Sequence, residues 1–397
     1  MNQPVPATPR SEVLLSHAAA GRIGELEVLR SIAVGMVLLQ HLNGNLIFWP
    51  CHFAAQLEQS GLWTGVDLFF AISGFVIARS LLPTLEGARD LGTFARLTVE
   101  FWIRRVWRLW PSSWLWLAMP LLLCQGFNRS GAYGSMQANW SMAVAGVLNL
   151  ANFHFAYVYV HGQIGTAFVQ WSLSLEEQFY LLLPIAAFLL RRQLPYLLGA
   201  ILLYAFFIPN HLTTLNIVAA TYGMMTRGGS VAAGVLLALW SSHQSYQLCA
   251  PTGLARTRTA RIALLIGIIA LLISLGSQLI IVTFYLGPIA LLTAALVWIA
   301  SYNAGYLWRP GISRRVMEIL AARSYSLYLI HIPVFYAMHE IWFRLHGTAT
   351  PSWRRATLYL ALTPLALAVV TELNHRLLER PLRDYGKQVA RRFAAQG

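Results

Sequence analysis

The chain has 397 residues, of which 57% are apolar and only 11% charged, with a mean hydropathy of +0.55. A soluble domain averages about a quarter charged residues, so this composition excludes an ordinary soluble enzyme and indicates a polytopic membrane protein. The net charge of +14 is also compatible with nucleic acid, but the arginines stand mainly between apolar segments, where such residues orient helices against the cytoplasmic face.

The first 24 residues are polar and lack the apolar core of a signal peptide. They are read as a cytoplasmic tail, 1–24, followed by a transmembrane domain, 25–378, and a basic cytoplasmic tail, 379–397. A crossing needs about 20 apolar residues. Spans are expected near 29–49, 62–82, 108–125, 172–190, 194–210, 228–242, 262–277, 279–300, 321–343 and 355–376. The predicted fold is therefore all-α, with about ten transmembrane helices and both termini cytoplasmic.

The arginines test this count. Arg79, Arg89, Arg96, Arg104, Arg105 and Arg108 fall between the second and third spans, and Arg191 and Arg192 follow the fourth. Arg256, Arg258 and Arg261 precede the seventh, Arg309, Arg314 and Arg315 precede the ninth, and Arg376, Arg380, Arg383, Arg391 and Arg392 close the chain. With the N-terminus inside, ten crossings make every cluster cytoplasmic. Residues 140–157 are apolar enough to touch the membrane, but a crossing there would put Arg191 and Arg192 outside, so a re-entrant or interfacial segment is expected. Cys51, Cys124 and Cys249 form no close-spaced pair or metal motif and are read as packing residues; no metal site is predicted.

Within the first span, LRSIAVGMVLLQHLNGNLIFW, Arg30 and His41 are eleven residues apart. At 100° per residue that returns His41 to within about 20° of Arg30, about 16 Å further along the axis. Arg30 alone is compatible with a snorkelling anchor and His41 with a packing histidine, but ionisable groups inside a membrane are candidates for function. A neutral imidazole accepts a proton, as a general base must.

The second span begins GVDLFFAISGFVIA. Asp67, Ala71, Gly74 and Ala78 recur at helical spacing as a stripe of small residues that lets a second helix approach closely. Asp67 on that seam suits either an interhelical hydrogen bond or the orientation of a histidine, and both roles stay open. Arg105 and Arg108 in FWIRRVWRLW face together one turn apart, as phosphate-binding forks or as positive-inside anchors. The fourth span opens WSLSLEEQFY, where Ser174 and Glu177 have capping-box spacing. Glu176 has no such explanation and shares a face with Ser172. His331, in the ninth span, is a second buried candidate, for packing or for positioning an acceptor.

These motifs, in this order, resemble the acyltransferase family 3 membrane proteins. The family pattern of a basic residue, ten residues and a histidine is matched by Arg30 and His41; GVDxFFxISGF by Gly65 to Phe75; an arginine pair by Arg105 and Arg108; WSLxxE by Trp171 to Glu176; a late helix signature by SYSLYLIHIP, Ser324 to Pro333; and a closing ERP by Glu379 to Pro381. The likeness spans about residues 25 to 385. It implies a multi-pass enzyme of the bacterial cytoplasmic (inner) membrane that moves an acyl group, usually acetyl, from acyl-CoA to a hydroxyl. Acceptors would be sugars of O-antigen, exopolysaccharide or glycolipids, with antibiotics in some members. Acetyl-CoA would be a co-substrate, with no cofactor bound permanently and no nucleic-acid partner.

On that resemblance, Arg30, Arg105 and Arg108 would bind the nucleotide of acyl-CoA, and His41 would deprotonate the acceptor with Asp67 or Glu176 holding its ring. His331 and Ser172 would help position the acceptor, and a route through an acyl-histidine stays open. Some relatives carry a further esterase-like domain, and the sequence as given ends at Gly397 without one, which would suit a simpler acceptor. No G-x-S-x-G elbow is present. The competing reading is a proton-coupled transporter that uses Arg30, His41, Asp67 and Glu176 as a relay, against which stands the lack of repeated halves. A structural scaffold leaves the buried charges unexplained.

Overall fold

A chain inside a bilayer has no water for its peptide groups, and an α-helix satisfies them within one segment. The computed structural model describes residues 22–88, 90–207, 227–255, 257–277 and 284–396, and among these residues it is helical with no β-strand. In chain order the helices are α1 (Gly24–Gln40), α2 (His52–Gln59), α3 (Gly65–Glu86), α4 (Leu91–Gly126), α5 (Met136–Val147), α6 (Ala151–His161), α7 (Gln170–Leu190) and α8 (Leu194–Tyr204). They continue with α9 (Gly229–Trp240), α10 (Gln244–Leu248), α11 (Arg258–Gly276), α12 (Leu286–Ser301), α13 (Ile312–Ala321), α14 (Ser324–His346), α15 (Trp353–Asn374) and α16 (Arg380–Gln396). Four helical runs, Leu62–Glu86, Gln170–Tyr204, Arg258–Gly276 and Trp353–Ala395, are long and apolar enough to cross a membrane, and Gly229–Trp240 and Leu286–Ser301 are shorter apolar helices. Most of the expected N-terminal tail, the end of the fifth expected span, the start of the eighth, and Arg89 and Arg256 lie outside the described residues.

A helix answers to each of the ten apolar segments, but several boundaries move. The first helix is Gly24–Gln40 rather than 29–49. Its early start admits Glu25 and Glu27, which hydropathy assigns to water. Buried Glu25 accepts from the backbone N–H groups of Gly305 (2.7 Å), Leu307 (2.6 Å) and Trp308 (3.1 Å). Glu27 pairs with Arg22 (3.1 Å) and Arg30 (2.9 Å). The helix ends with His41 as its C-cap, and the chain then turns at Gly44, whose φ of +74° is a left-handed conformation open to glycine without strain.

The third expected span is the second half of the 36-residue α4, whose start is capped by Asp90 accepting from the Thr93 N–H at 2.9 Å. Residues 140–157 divide between α5 and α6, joined through Asn149. At 12 and 11 residues, neither helix has the length to cross alone. The expected tail 379–397 is largely α16, which continues α15 through a π-helical turn at His375–Glu379 and packs along α4. Of the cysteines read as packing residues, Cys51 and Cys124 are half-buried and Cys249 is exposed.

The small-residue stripe does what its spacing predicts. A Cβ on Gly74 would lie 2.3 Å from the Val231 carbonyl oxygen, and one on Gly234 would lie 2.2 Å from that of Ala71. Thus α3 and α9 cross backbone to backbone. At one end of the bundle Glu25 ties α1 to the loop after α12, Ser31 Oγ donates to the Met317 carbonyl (2.5 Å), and Arg323 pairs with Glu372. At the other end Tyr336 donates to Asn45 (2.6 Å), and Glu340 accepts from the Arg129 and Ser130 N–H groups (3.0 and 2.7 Å). An arginine-lined cavity opens at the first end.

Candidate active site

His41 closes the C-terminus of α1 and faces His331, which is fully buried in α14. The Nδ1 of His331 turns back on its own helix, 2.8 Å from the Tyr328 carbonyl oxygen and 3.3 Å from that of Leu327. A carbonyl only accepts, so this nitrogen carries the hydrogen, and in the neutral ring Nε2 is left with a lone pair. That Nε2 lies 3.0 Å from His41 Nδ1, which must then be the donor. The consequence is a defined tautomer for His41, with an accepting Nε2. The two rings are 5.0 Å apart at 29°, and the Phe168 ring closes on His41 at 5.4 Å. The His41 carbonyl is held by Asn45 Nδ2 at 2.9 Å, so the helix end that carries the ring is fixed as well.

The expectation that Asp67 or Glu176 holds this imidazole is corrected, because both carboxylates are engaged elsewhere. Asp67 accepts from Ser230 Oγ at 3.2 Å and faces Arg227 Nη2 at 3.4 Å. Of its two open roles the interhelical bond is the one found. The Arg227 guanidinium is sandwiched by the Trp63 and Trp171 rings, at 4.5 and 5.1 Å from their centroids. Glu176 accepts from Ser73 Oγ and from the Tyr180 hydroxyl. The capping box does not form, since α7 begins four residues before Ser174. Instead, Ser174 Oγ accepts from the Ala151 N–H (3.2 Å) and Glu177 from Trp110 Nε1 (2.6 Å).

A cavity of about 960 Å³, counting its open mouth, brings together Arg30, Arg105, Arg108, Ser172 and Glu176 from α1, α4 and α7. Arg22 and Arg383 also line it, so five guanidinium groups face one volume against the carboxylates of Glu176 and Glu379. Arg105 lies over the Phe101 and Tyr180 rings at 5.3 and 5.1 Å, and Arg108 Nε is buried without a hydrogen-bond partner. A concave site with excess guanidinium charge suits a phosphate-bearing anion.

The cavity ends on Ser172 and Tyr328, whose hydroxyl oxygens are 2.6 Å apart. The Tyr328 ring lies 5.9 Å from that of His331, so the histidine pair stands directly behind this wall. Asp67 does not line the cavity. Sequence reasoning missed Tyr328, Arg22, Arg227 and the pocket-facing role of Arg383. Tyr328 was findable, three residues before His331 and hence on its helix face; Arg383 was hidden by reading its segment as a tail.

Comparison with known proteins places the chain in a family. The family model described as an acyltransferase domain matches residues 23–372. The chain is 25% identical over 386 residues to the O-acetyltransferase OatA of Staphylococcus aureus (strain NCTC 8325 / PS 47), covering 91% of this chain and 57% of that protein. It is 26% identical over 379 residues to the peptidoglycan O-acetyltransferase OatA of Listeria monocytogenes serovar 1/2a, covering 92% and 56%. YrhL of Bacillus subtilis (strain 168), named as a candidate peptidoglycan O-acetyltransferase, is 25% identical over 386 residues, covering 91% and 55%. The chain thus spans little more than half the length of these relatives. No solved structure matches it. With the family match running through nearly all the helices that build the cavity and the histidine pair, the chain belongs to the acyltransferase family 3 membrane proteins.

Proposed function

We propose that the protein is an integral-membrane O-acyltransferase that moves an acyl group, acetyl in the first instance, from acyl-CoA to a hydroxyl of a carbohydrate acceptor. The observation that carries this reading is the open Nε2 of His41, fixed as an acceptor by His331 behind the inner wall of an arginine-lined cavity. Arg30, Arg105 and Arg108 would hold the anionic nucleotide, and the extended pantetheine arm would pass Ser172 and Tyr328 to bring the thioester beside His41. As the acceptor oxygen forms its bond to the acyl carbon, His41 Nε2 takes the hydroxyl proton. The carbon–sulfur bond breaks, and the imidazolium returns that proton to the departing thiolate. The products are the O-acyl ester and free CoA.

Two of the relatives are named for peptidoglycan, which favours a glycan acceptor. The arginine distribution favours ten crossings with both described ends facing the cytoplasm, and the bacterial relatives favour a home in the cytoplasmic (inner) membrane. The test is binding of acetyl-CoA to purified protein, wild type beside Arg30→Ala and Arg108→Ala, followed by acyl transfer with His41→Ala. Weaker binding in both arginine variants, and preserved binding with lost transfer in His41→Ala, are expected. Absence of binding to wild type near cellular acetyl-CoA concentrations would overturn the donor assignment and return the relay of a transporter to consideration.

A further inference from the structure

The cavity's fifth arginine comes from a helix beyond residue 372, where the family match ends. We propose that Arg383, on α16, binds the diphosphate of the acyl donor together with Arg108, so that the C-terminal helix is a working wall of the donor site; this rests on the acyl-CoA reading above.

Three observations converge on it. First, Arg383 lines the cavity, and its Nε is buried with no hydrogen-bond partner, as is that of Arg108. The carboxylates nearest in sequence are committed elsewhere. Asp384 Oδ1 is 4.0 Å from Arg383 Nε and binds Lys387 at 2.8 Å. Glu379 accepts from Ser326 Oγ at 2.6 Å and also contacts His375 Nδ1 at 3.1 Å.

Second, α16 runs antiparallel to α4. A Cβ on Gly386 would lie 2.3 Å from Trp107 Cβ, the Tyr385 and Trp107 rings are 4.8 Å apart, and Phe393 shares a groove with Arg96 and Val99 further back along α4. That register sets Arg383 level with Arg108, within about one turn. Two forked guanidiniums from facing helices make a clamp for a dianion such as a diphosphate.

Third, the π turn at His375–Glu379 lies immediately before this wall. A π turn inserts one extra residue, which rotates the following helix by about 100° relative to an uninterrupted one. Such turns persist mostly where function needs the altered direction. Here the rotation accompanies two cavity-lining residues, Glu379 and Arg383, spaced one turn apart.

The experiment titrates CoA and 3′-dephospho-CoA into the purified full chain, as wild type, Arg383→Ala, Arg383→Lys and Arg391→Ala, the last an exposed position on the same helix. A charge-assisted contact to phosphate predicts that Arg383→Ala binds both ligands about ten-fold or more weakly than wild type and by the same factor, because both carry the diphosphate. Arg383→Lys should recover part of the loss by keeping the charge without the fork, and Arg391→Ala should bind as wild type. If Arg383→Ala fails to fold, Arg383→Lys carries the same comparison with a smaller factor. Wild-type affinity in the Arg383 variants overturns the proposal, and so does a loss confined to CoA, which would move the contact to the 3′-phosphate. Wild type binding neither ligand would instead overturn the donor reading on which it stands.

Discussion

Replacing His331 separates a positioning role from a packing one. The 3.0 Å bond between His331 Nε2 and His41 Nδ1 is the side-chain contact that fixes the His41 ring nitrogens among the described residues. A neutral hydrogen bond is worth about 1 kcal/mol net, enough to bias the His41 tautomer roughly five-fold towards an accepting Nε2. Its loss also frees the ring to turn, and partners that orient metal-bound histidines are worth about 10- to 100-fold. His331→Leu should therefore lower kcat for acetyl transfer by about 10- to 100-fold, less than the roughly 10²–10⁴-fold expected of His41→Ala, which removes the proposed base. His331→Gln should retain more activity than His331→Leu, since an amide carries a donor for the Tyr328 carbonyl beside an acceptor for His41. CoA release from acetyl-CoA, followed with a thiol reagent, gives kcat, and acetyl-CoA titration gives affinity, which should stay at the wild-type value. Full turnover in His331→Leu, or equal losses in the leucine and glutamine variants, would refute the tautomer argument.

The Asp67–Arg227 pair, nearly fully buried, should act as a unit. Asp67→Ala is expected to cost about 3–5 kcal/mol of stability by leaving a buried guanidinium without its counter-charge, and Asp67→Ala with Arg227→Met should recover most of it; thermal unfolding of both variants in detergent checks this. Gly234→Val should abolish assembly of α3 on α9, because its side chain meets the Ala71 carbonyl. Gly199→Ala, where a Cβ meets nothing within 4 Å, should leave the folded yield unchanged, as size-exclusion profiles would show. Glu25→Ala strands three backbone N–H groups, at about 1–3 kcal/mol for each that stays buried, and should lower the unfolding temperature while leaving acetyl-CoA affinity intact in the folded fraction.

What was legible in the sequence follows from how local each signal is. Helix class and the approximate place of each apolar segment come from composition over about 20 residues, and the α3–α9 seam comes from periodicity within α3. Boundaries failed where a charge was satisfied by distant backbone. Glu25 looks like a residue in water until the amides of residues 305–308 are brought to it, 280 positions away. The arginine cavity was half legible, because Arg30, Arg105 and Arg108 belong to recognisable spacings, whereas Arg383 needed the register of α16 on α4. The histidine partner was the least accessible feature. His41 and His331 are separated by 290 residues, and no spacing along one helix reports a contact across the bundle, so the carboxylates nearer in sequence were the natural but incorrect choice.

The buried polar groups divide by whether the protein itself answers them. Glu25 and Glu340 collect backbone N–H groups, and Asp67 meets Arg227 and Ser230. These groups hold helix ends and crossings together, and each has its principal partner within the fold. Arg227 has unbonded Nε and Nη1 atoms as well, but two indole faces cover its cation, which places it with the structural group. Arg108 Nε and Arg383 Nε have no such cover and face a cavity with more cationic than anionic side chains. A desolvated donor without a partner costs about 1–3 kcal/mol, a cost that persists in a native fold when something outside the protein supplies the acceptor. Of the two substrates of an acyl transfer, an acyl-CoA donor, as proposed, would bring the required negative charge on its nucleotide, whereas a hydroxyl acceptor brings none at the reacting group. The same reasoning applies to His41 in reverse, since an accepting Nε2 is useful to a substrate that arrives with a hydroxyl proton to give up. The site is therefore defined less by which charges are buried than by which of them the protein leaves for a ligand.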